Sequence, residues 1–287
     1  MMEEMWSGAP ELAGAGSEEL WVGVASGVSL RVIRWTPDDS FASSLSPVVF
    51  VPGWGSVFEG WRPLLTEWAT RRPIVYIETR EKKSARIAYK VGRGDFEMRH
   101  HGDDVAAALT HLGINSAEVD WFSSSLGSTL LIDAYQNGVL KGRSSILLAP
   151  NDDFSFPLWA RILLNVPLPK AIYPALVRFA VWIVERRTDE EGQRIRYRRS
   201  LLSQDLERLL LSARANIRYS LPRDLSGVTV PCAVMTAPSD TLHDMEKVLD
   251  IVDRLPDVAH IEVPSNQYAH EADVLVEIEE FQSSVGN

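Results

Sequence analysis

The stretch Val119-Asp-Trp-Phe-Ser-Ser-Ser-Leu-Gly-Ser128 passes from an apolar strand pattern to a helical pattern within a very short turn. A nucleophile displayed on such a turn needs small residues two positions before it and two positions after it, because the strand and the helix crowd together there. Ser125 meets this requirement, with Ser123 before it and Gly127 after it. The other two serines of the run each follow a large aromatic residue at the first of these positions. The motif therefore predicts Ser125 as the nucleophile.

Short apolar strand patterns alternate with helical patterns on both sides of this motif. Strands are predicted at residues 47–51, 74–77, 119–122, 145–148, 232–236 and 260–263, and helices at 103–112, 126–137, 244–255 and 271–282. A hairpin is predicted around Ser26-Gly27. Alternation of this kind indicates an α/β fold, with a mostly parallel sheet covered by helices on both faces.

Residues 154–225 interrupt the alternation. They contain long helical patterns, several prolines, and 13 Lys and Arg against seven Asp and Glu. We interpret them as a helical cap inserted into a core made of residues 21–153 and 226–287. Residues 1–20 are expected to form a flexible tail, because the N-terminal part is short of apolar residues and contains several glycines and alanines. The role of the basic excess in the cap is left open, and an exposed helix balanced by the acidic core is the simplest explanation.

Composition excludes several classes of protein. The 287 residues carry a formal charge of −10, which argues against nucleic-acid binding, since phosphate contacts need a basic face.

The one cysteine, Cys232, cannot form an internal disulfide and is expected to be a small buried residue. No secretory signal and no stretch long enough to insert stably in a membrane is apparent, so a cytoplasmic protein is expected. No phosphate-loop, dinucleotide or zinc motif is present, so neither a cofactor nor a metal is expected.

Two further residues complete a catalytic set with Ser125. A serine hydroxyl needs a histidine to take its proton, and that histidine needs a carboxylate to hold its tautomer. Asp240 lies in a loop after the strand at 232–236, and His270 lies between the strand at 260–263 and the last helix. The order Ser, Asp, His is the one expected for a triad built on this kind of turn. We therefore predict Ser125, Asp240 and His270 as the catalytic residues.

Other titratable residues rank lower as candidates. Asp153 is the reserve for the acid, because it follows the strand at 145–148. His243, three residues after Asp240, is expected to be exposed or to support the triad from outside. His100 and His101 are expected on the surface rather than as metal ligands, because adjacent side chains point in different directions.

With these residues in place, the chain resembles the α/β-hydrolase family over residues 20–153 and 226–287. The resemblance implies an eight-stranded sheet with the active site between core and cap. It also implies that the backbone amides of Trp54 and Leu126 form an oxyanion hole, which stabilises the charge on the substrate oxygen in the transition state. Two segments depart from the family: Pro52-Gly53 stands where many members have His-Gly, and Glu78-Thr-Arg-Glu-Lys-Lys-Ser84 replaces a segment with Asp, Arg, Gly and Ser. An atypical subgroup is therefore indicated.

The apolar part of the cap predicts the substrate class. The candidate substrate-binding residues are Phe154 and Trp159 in the cap and Gly53 and Trp61 near the turn after the strand at 47–51, and an apolar acyl or aromatic pocket is expected. Many apolar side chains of the cap would also pack cap against core.

The expected activity is hydrolysis of a small carboxylic ester through an acyl-enzyme intermediate. Two alternatives stay open. A serine acyltransferase or thioesterase would use the same triad, and a non-catalytic ligand-binding member of the fold would keep only the pocket.

Overall fold

A computed structural model of the chain describes residues 6–154, 164–166, 169–188, 190–240 and 243–285. Nine strands form one sheet in this part of the chain. They are β1 (Ala15–Ala25), β2 (Val28–Pro37), β3 (Val48–Val51), β4 (Ile74–Ile77), β5 (Arg86–Ile87), β6 (Asp120–Ser124), β7 (Ser144–Leu148), β8 (Cys232–Thr236) and β9 (Val258–Glu262). The six strands predicted from apolar runs are confirmed.

Eight of the strands follow one path across the sheet, in the order β1-β2-β4-β3-β6-β7-β8-β9, and the two-residue β5 pairs with β2 beside it. The pairs from β4 to β9 along this path are parallel, whereas β2 is antiparallel to its neighbours β1, β4 and β5. Gly27, at φ 71°, closes the predicted hairpin between β1 and β2. The predicted mostly parallel α/β sheet is confirmed. It has nine strands, one more than the eight that the resemblance implies.

Nine α-helices are described along the chain. They are α1 (Ser40–Ser44), α2 (Arg62–Arg71), α3 (Met98–His111), α4 (Leu126–Gln136), α5 (Tyr173–Arg187), α6 (Glu191–Ser203), α7 (Leu206–Asn216), α8 (Met245–Arg254) and α9 (Leu275–Val285). The last helix begins at Leu275 rather than near Glu271, because residues 268–274 form two 3₁₀ turns. Among the described residues, no helix combines the length and the apolar character needed to cross a bilayer.

The sheet is buried on both faces. All four residues of β3 are buried, and because successive side chains point to opposite faces, Val49 and Val51 join one core while Val48 and Phe50 join the other. Helices α3, α4 and α8 cover the first face, and α2 and α9 cover the second. Residues that follow β3, β6, β7, β8 and β9 therefore meet at the carboxyl edge of the parallel strands, where open α/β sheets bind ligands.

The N-terminal segment is more ordered than expected. Residues 15–20 belong to β1, and the side chains of Trp6 and Leu12 are buried. The indole N–H of Trp6 donates a hydrogen bond of 3.2 Å to the carbonyl oxygen of Ser203. The prediction of a flexible tail through residue 20 is wrong for these residues, because a few large apolar side chains are enough to fix a segment that is otherwise rich in small residues.

Candidate active site

Ser125 stands at the sharp turn between β6 and α4. Its backbone has φ 50° and ψ −115°, a conformation that side-chain-bearing residues rarely adopt. The turn is held in place because the Ser125 N–H donates to the carbonyl oxygen of Leu148, at the end of the neighbouring β7, over 2.8 Å. This backbone presents the side chain at the carboxyl edge of the sheet, in the way that the sequence motif predicts.

Gly127 explains why the motif needs a small residue after the serine. A Cβ atom at this position would lie 2.1 Å from the carbonyl oxygen of Val51, on the adjacent strand β3. Gly53, in the turn after β3, also has little space, although less severely, since a Cβ there would lie 3.1 Å from Ser124 Oγ and 3.2 Å from the Cβ of Ser125. Strand β3, its turn and the start of α4 therefore touch through backbone atoms around Ser125.

The structure joins Ser125 to Asp240 through His243. The Oγ atom of Ser125 lies 3.0 Å from Nε2 of His243, and Nδ1 of the same ring lies 2.8 Å from Oδ2 of Asp240. Because the carboxylate can only accept, Nδ1 carries the proton and Nε2 accepts from the serine hydroxyl. The His243 N–H also donates to Asp240 Oδ1 over 3.3 Å, and the side-chain amide of Asn266 donates to Oδ2 over 3.3 Å.

The predicted third member, His270, occupies a different place. Its Nδ1 donates a hydrogen bond of 2.8 Å to the carbonyl oxygen of Asn266, within its own turn, and its ring stacks on Trp61 with 4.0 Å between the ring centroids. Desolvation, with the nearby guanidinium of Arg196, lowers the pKa of His270 to about 3. The ring is therefore neutral near pH 7. The structure thus brings Ser125 and Asp240 together with His243 rather than with His270, and the expectation that His243 stands outside the site is wrong.

The signal for His243 was present in the sequence as its spacing from Asp240. Asp240 and His243 precede α8 in the same loop, and a carboxylate and an imidazole this close in the chain are able to pair directly. His270 also lies in a loop after a strand, so only the tertiary packing shows which of the two histidines contacts Ser125.

Asn151 is a further contact of the serine that sequence reasoning missed. Its side-chain amide donates to Ser125 Oγ over 3.2 Å, and its backbone N–H donates to Thr129 Oγ1 over 2.8 Å. The Thr129 hydroxyl is placed between the carbonyl oxygens of Asn151 and Ser125, at 3.1 and 3.2 Å. Asn151 follows β7 at the same edge of the sheet, and its position there was the available signal.

The backbone N–H groups of Trp54 and Leu126 have no hydrogen-bond acceptor within the described part of the chain. Leu126 follows Ser125 directly and begins α4, while Trp54 follows Gly53, whose N–H donates to Ser124 Oγ over 3.1 Å. Unpaired backbone N–H groups, one directly after the serine and one in the turn after the neighbouring strand, are the kind of donor that stabilises a negatively charged oxygen.

The other predicted substrate-binding residues that the structure describes, and the reserve acid, take no part in the contacts from Ser125 to Asp240 described above. Trp61 is buried under His270, and Phe154 is partly buried against the core, whereas Trp159 lies outside the described residues. The carboxylate of Asp153, the reserve acid, binds Nζ of Lys247 at 2.7 and 2.8 Å. Asp240, rather than Asp153, is the carboxylate that is hydrogen-bonded to His243.

Two other titratable residues, Cys232 and His101, are buried, and burial shifts the pKa of each. Cys232 lies inside β8, where burial raises its pKa to about 12, in agreement with the prediction of a small buried residue. His101 is fully buried in α3, and desolvation lowers its pKa to about 4, so the expectation of a surface residue is wrong. No cluster of three or more His, Cys, Asp or Glu suited to a metal ion occurs in the parts of the chain that the structure describes.

The segment between β7 and β8 reaches the turns around Ser125. The indole N–H of Trp54 donates to Ser212 Oγ in α7 over 2.7 Å, and the side chain of Gln204 donates to the carbonyl oxygen of Gly55 over 2.7 Å. Arg196, in α6, donates to the side-chain oxygen of Asn266 over 2.5 Å. Helices α6 and α7, with Gln204 between them, therefore contact the turns that follow β3 and β9.

No family model and no curated protein matches the sequence. Solved structures do match. An esterase from Thermogutta terrifontis aligns with 94% of this chain and all of its own, at 16% identity and a TM-score of 0.72. A hydrolase from Oleispira antarctica aligns over 88% and 94% of the two chains, at 13% identity and a TM-score of 0.70.

An enol-lactonase from Burkholderia xenovorans LB400 aligns over 93% of this chain and 98% of its own, at 15% identity and a TM-score of 0.67. Identities this low carry the fold and not the activity. These alignments run over most of the length of both partners, with TM-scores of 0.67 to 0.72. The chain therefore has the α/β-hydrolase fold.

Proposed function

We propose that the protein is a serine hydrolase that cleaves a carboxylic ester through an acyl-enzyme intermediate. The observation that carries the proposal is the line of contacts from Ser125 Oγ to His243 Nε2 and from His243 Nδ1 to Asp240, which begins on a strained turn. The backbone N–H groups of Leu126 and Trp54, which have no acceptor in the described part of the chain, support it. A hydroxyl, a base, an orienting carboxylate and oxyanion donors are the parts that acyl transfer needs.

In the proposed reaction, Ser125 Oγ attacks the ester carbonyl carbon while its proton moves to Nε2 of His243. Asp240 accepts from Nδ1, which keeps the acceptor nitrogen directed at the serine and stabilises the imidazolium that forms. The backbone N–H groups of Trp54 and Leu126 bind the oxyanion. His243 then passes the proton to the departing alcohol, and the acyl group stays on Ser125.

Water completes the cycle in the second half of the reaction. His243 takes a proton from water, the hydroxide attacks the acyl-enzyme, and the proton returns to Ser125 as the carboxylic acid leaves. Asn151 donates to Ser125 Oγ and holds this atom at the carboxyl edge of the sheet in the resting state.

Ester hydrolysis is the reaction class that agrees best with the neighbouring structures, because they include an esterase and an enol-lactonase and both names denote cleavage of an ester-type bond. The predicted substrate is a small ester with an apolar acyl or aromatic part. An acyltransferase or thioesterase would share the acyl-enzyme, and adding an alcohol or an amine to the assay separates these activities by their products.

The test compares two serines of the same motif. Ser125→Ala is expected to abolish hydrolysis of p-nitrophenyl esters and labelling by a fluorophosphonate probe. Ser123→Ala is the matched control, because the Ser123 hydroxyl is buried and bonded to Ser128 Oγ and the Ile146 carbonyl, and it should retain both. Wild-type protein that neither turns over esters of several acyl lengths nor reacts with the probe would favour a non-catalytic binder instead.

A further inference from the structure

Lys82 is fully buried beneath the turn that follows β3. It belongs to the segment after β4 in which this chain departs from the family pattern. The Nζ atom donates to the carbonyl oxygen of Gly53 over 2.9 Å, to Thr79 Oγ1 over 3.1 Å and to Glu81 Oε1 over 2.9 Å. An ammonium group has three N–H donors, so every one of them is used and the group is fixed in direction.

The contact with Gly53 bears on the proposed oxyanion hole. The Gly53 carbonyl and the Trp54 N–H belong to one peptide group, and no cis peptide occurs among the described residues. In a planar trans peptide, the C=O and N–H bonds point in opposite directions. A donor that holds the Gly53 oxygen on one side therefore directs the Trp54 N–H to the other.

This peptide needs such a restraint, because it follows a glycine. Glycine permits backbone rotations that other residues do not. The turn itself supplies part of the restraint, as Ser56 N–H also donates to the Gly53 oxygen over 3.0 Å, and Ser124 Oγ accepts from Gly53 N–H. Lys82 adds a charged donor to the same oxygen, which polarises the peptide and strengthens the partial positive charge on the Trp54 N–H.

The charge of Lys82 is neutralised locally by Glu81. Both side chains are fully buried, and the nearby ammonium of Lys82 opposes the desolvation of the Glu81 carboxylate, whose pKa is lowered overall. Two opposite charges this close produce little field at a distance. The effect on the site therefore runs through the Gly53–Trp54 peptide rather than through a general positive potential.

We propose that Lys82 is a positioning residue for the oxyanion hole, which fixes and polarises the Gly53–Trp54 peptide so that the Trp54 N–H faces the developing oxyanion. This inference rests on the proposed hydrolase function. It assigns a role to the atypical segment after β4 and predicts that the buried Lys82 ammonium serves transition-state binding, while Glu81 neutralises its charge.

The test uses Lys82→Met, Glu81→Gln and the double variant Glu81→Gln/Lys82→Met. Methionine keeps most of the length of lysine without a donor, and the double variant leaves no unpaired buried charge. Arg80→Met is the matched control, because it removes another buried cation from the same segment, bound to Asp104 rather than to Gly53. The measurements are kcat and KM for a p-nitrophenyl ester, the Ki of a trifluoromethyl ketone that forms an oxyanion on Ser125, and thermal unfolding.

We expect Lys82→Met and the double variant to lower kcat and weaken the ketone by about tenfold each, with KM nearly unchanged. This is less than the 10²–10³-fold loss typical of removing an oxyanion donor itself, because the Ser56 contact remains. Glu81→Gln and Arg80→Met should keep kcat and Ki near wild type, even where they lower the unfolding temperature.

Wild-type kcat and Ki in the double variant would overturn the proposal, as would recovery of Lys82→Met by adding Glu81→Gln, since the loss would then come from an unpaired carboxylate. If Lys82→Met does not fold, the double variant decides. Failure of the hydrolase function itself has a different signature, namely no Ser125-dependent turnover in the wild-type protein.

Discussion

Ser125 Oγ lies 3.0 Å from Nε2 of His243, a histidine only three residues beyond the carboxylate that orients it. The acid and the base thus come from one loop after β8, and the loop after β9 supplies Asn266 and His270 around them. His270 makes its polar contact within its own turn and packs on Trp61. The two histidines therefore have different chemistry available, although both lie close to Asp240.

The first prediction separates these two histidines. His243→Ala should lower kcat/KM for a p-nitrophenyl ester by at least about 10³-fold, because the serine loses its base. His270→Ala is the matched control and should lose about tenfold or less, since its ring is not bonded to the serine. Steady-state kinetics of both variants, with thermal unfolding to verify the fold, make the comparison. Activity that survives in His243→Ala and disappears in His270→Ala would assign the base to His270.

The second prediction concerns the close approach at Gly127. Gly127→Ala places a Cβ 2.1 Å from the Val51 carbonyl oxygen, so β3 and α4 have to separate. We expect a loss of about 3 kcal/mol in the free energy of unfolding, measured by urea titration. Gly23→Ala is the control, because an added Cβ there meets nothing within 4 Å, and its change should stay below about 1 kcal/mol. Equal stability in the two variants would contradict the packing around the turn.

The third prediction concerns stability at acid pH. His101 has a pKa of about 4 in the folded protein, against about 6.5 when unfolded, because desolvation outweighs the attraction of Glu81, and Arg80, Lys82 and His100 oppose protonation further. Well above pH 6.5 the ring is neutral in both states. Between pH 6.5 and 4 the unfolded chain binds the proton and the folded chain does not, so stability falls as pH falls, by up to about 1.4 kcal/mol per pH unit.

His101→Phe should remove this contribution. Urea unfolding at pH 8, 7, 6 and 5 measures it, and the interval from pH 8 to 7 is the internal control, because His101 gains few protons there in either state. The difference in unfolding free energy between wild type and variant should be constant above pH 7 and should shift in favour of the variant below pH 6. Parallel curves over the whole range would refute the prediction.

Much of the fold could be predicted from short stretches of sequence. The apolar runs of β3, β4, β6, β7 and β8 and the glycine at the +2 position of the motif are local signals, since strand burial and turn crowding depend on residues close in sequence. The edges of the fold were harder to predict. Residues 15–20 form part of β1, and Trp6 is anchored on Ser203, which lies 197 positions away.

The choice among the polar residues of the site depended on tertiary packing. The sequence determined that Ser125 stands on a strained turn and that Asp240 follows a strand at the same edge of the sheet, because those properties depend on neighbours in the chain. It left two histidines near that edge. Trp61, far away in sequence, stacks on His270, while the short loop after β8 directs His243 to the serine. Long-range packing decides which ring meets Ser125, because the direction of a side chain depends on what fills the space around it.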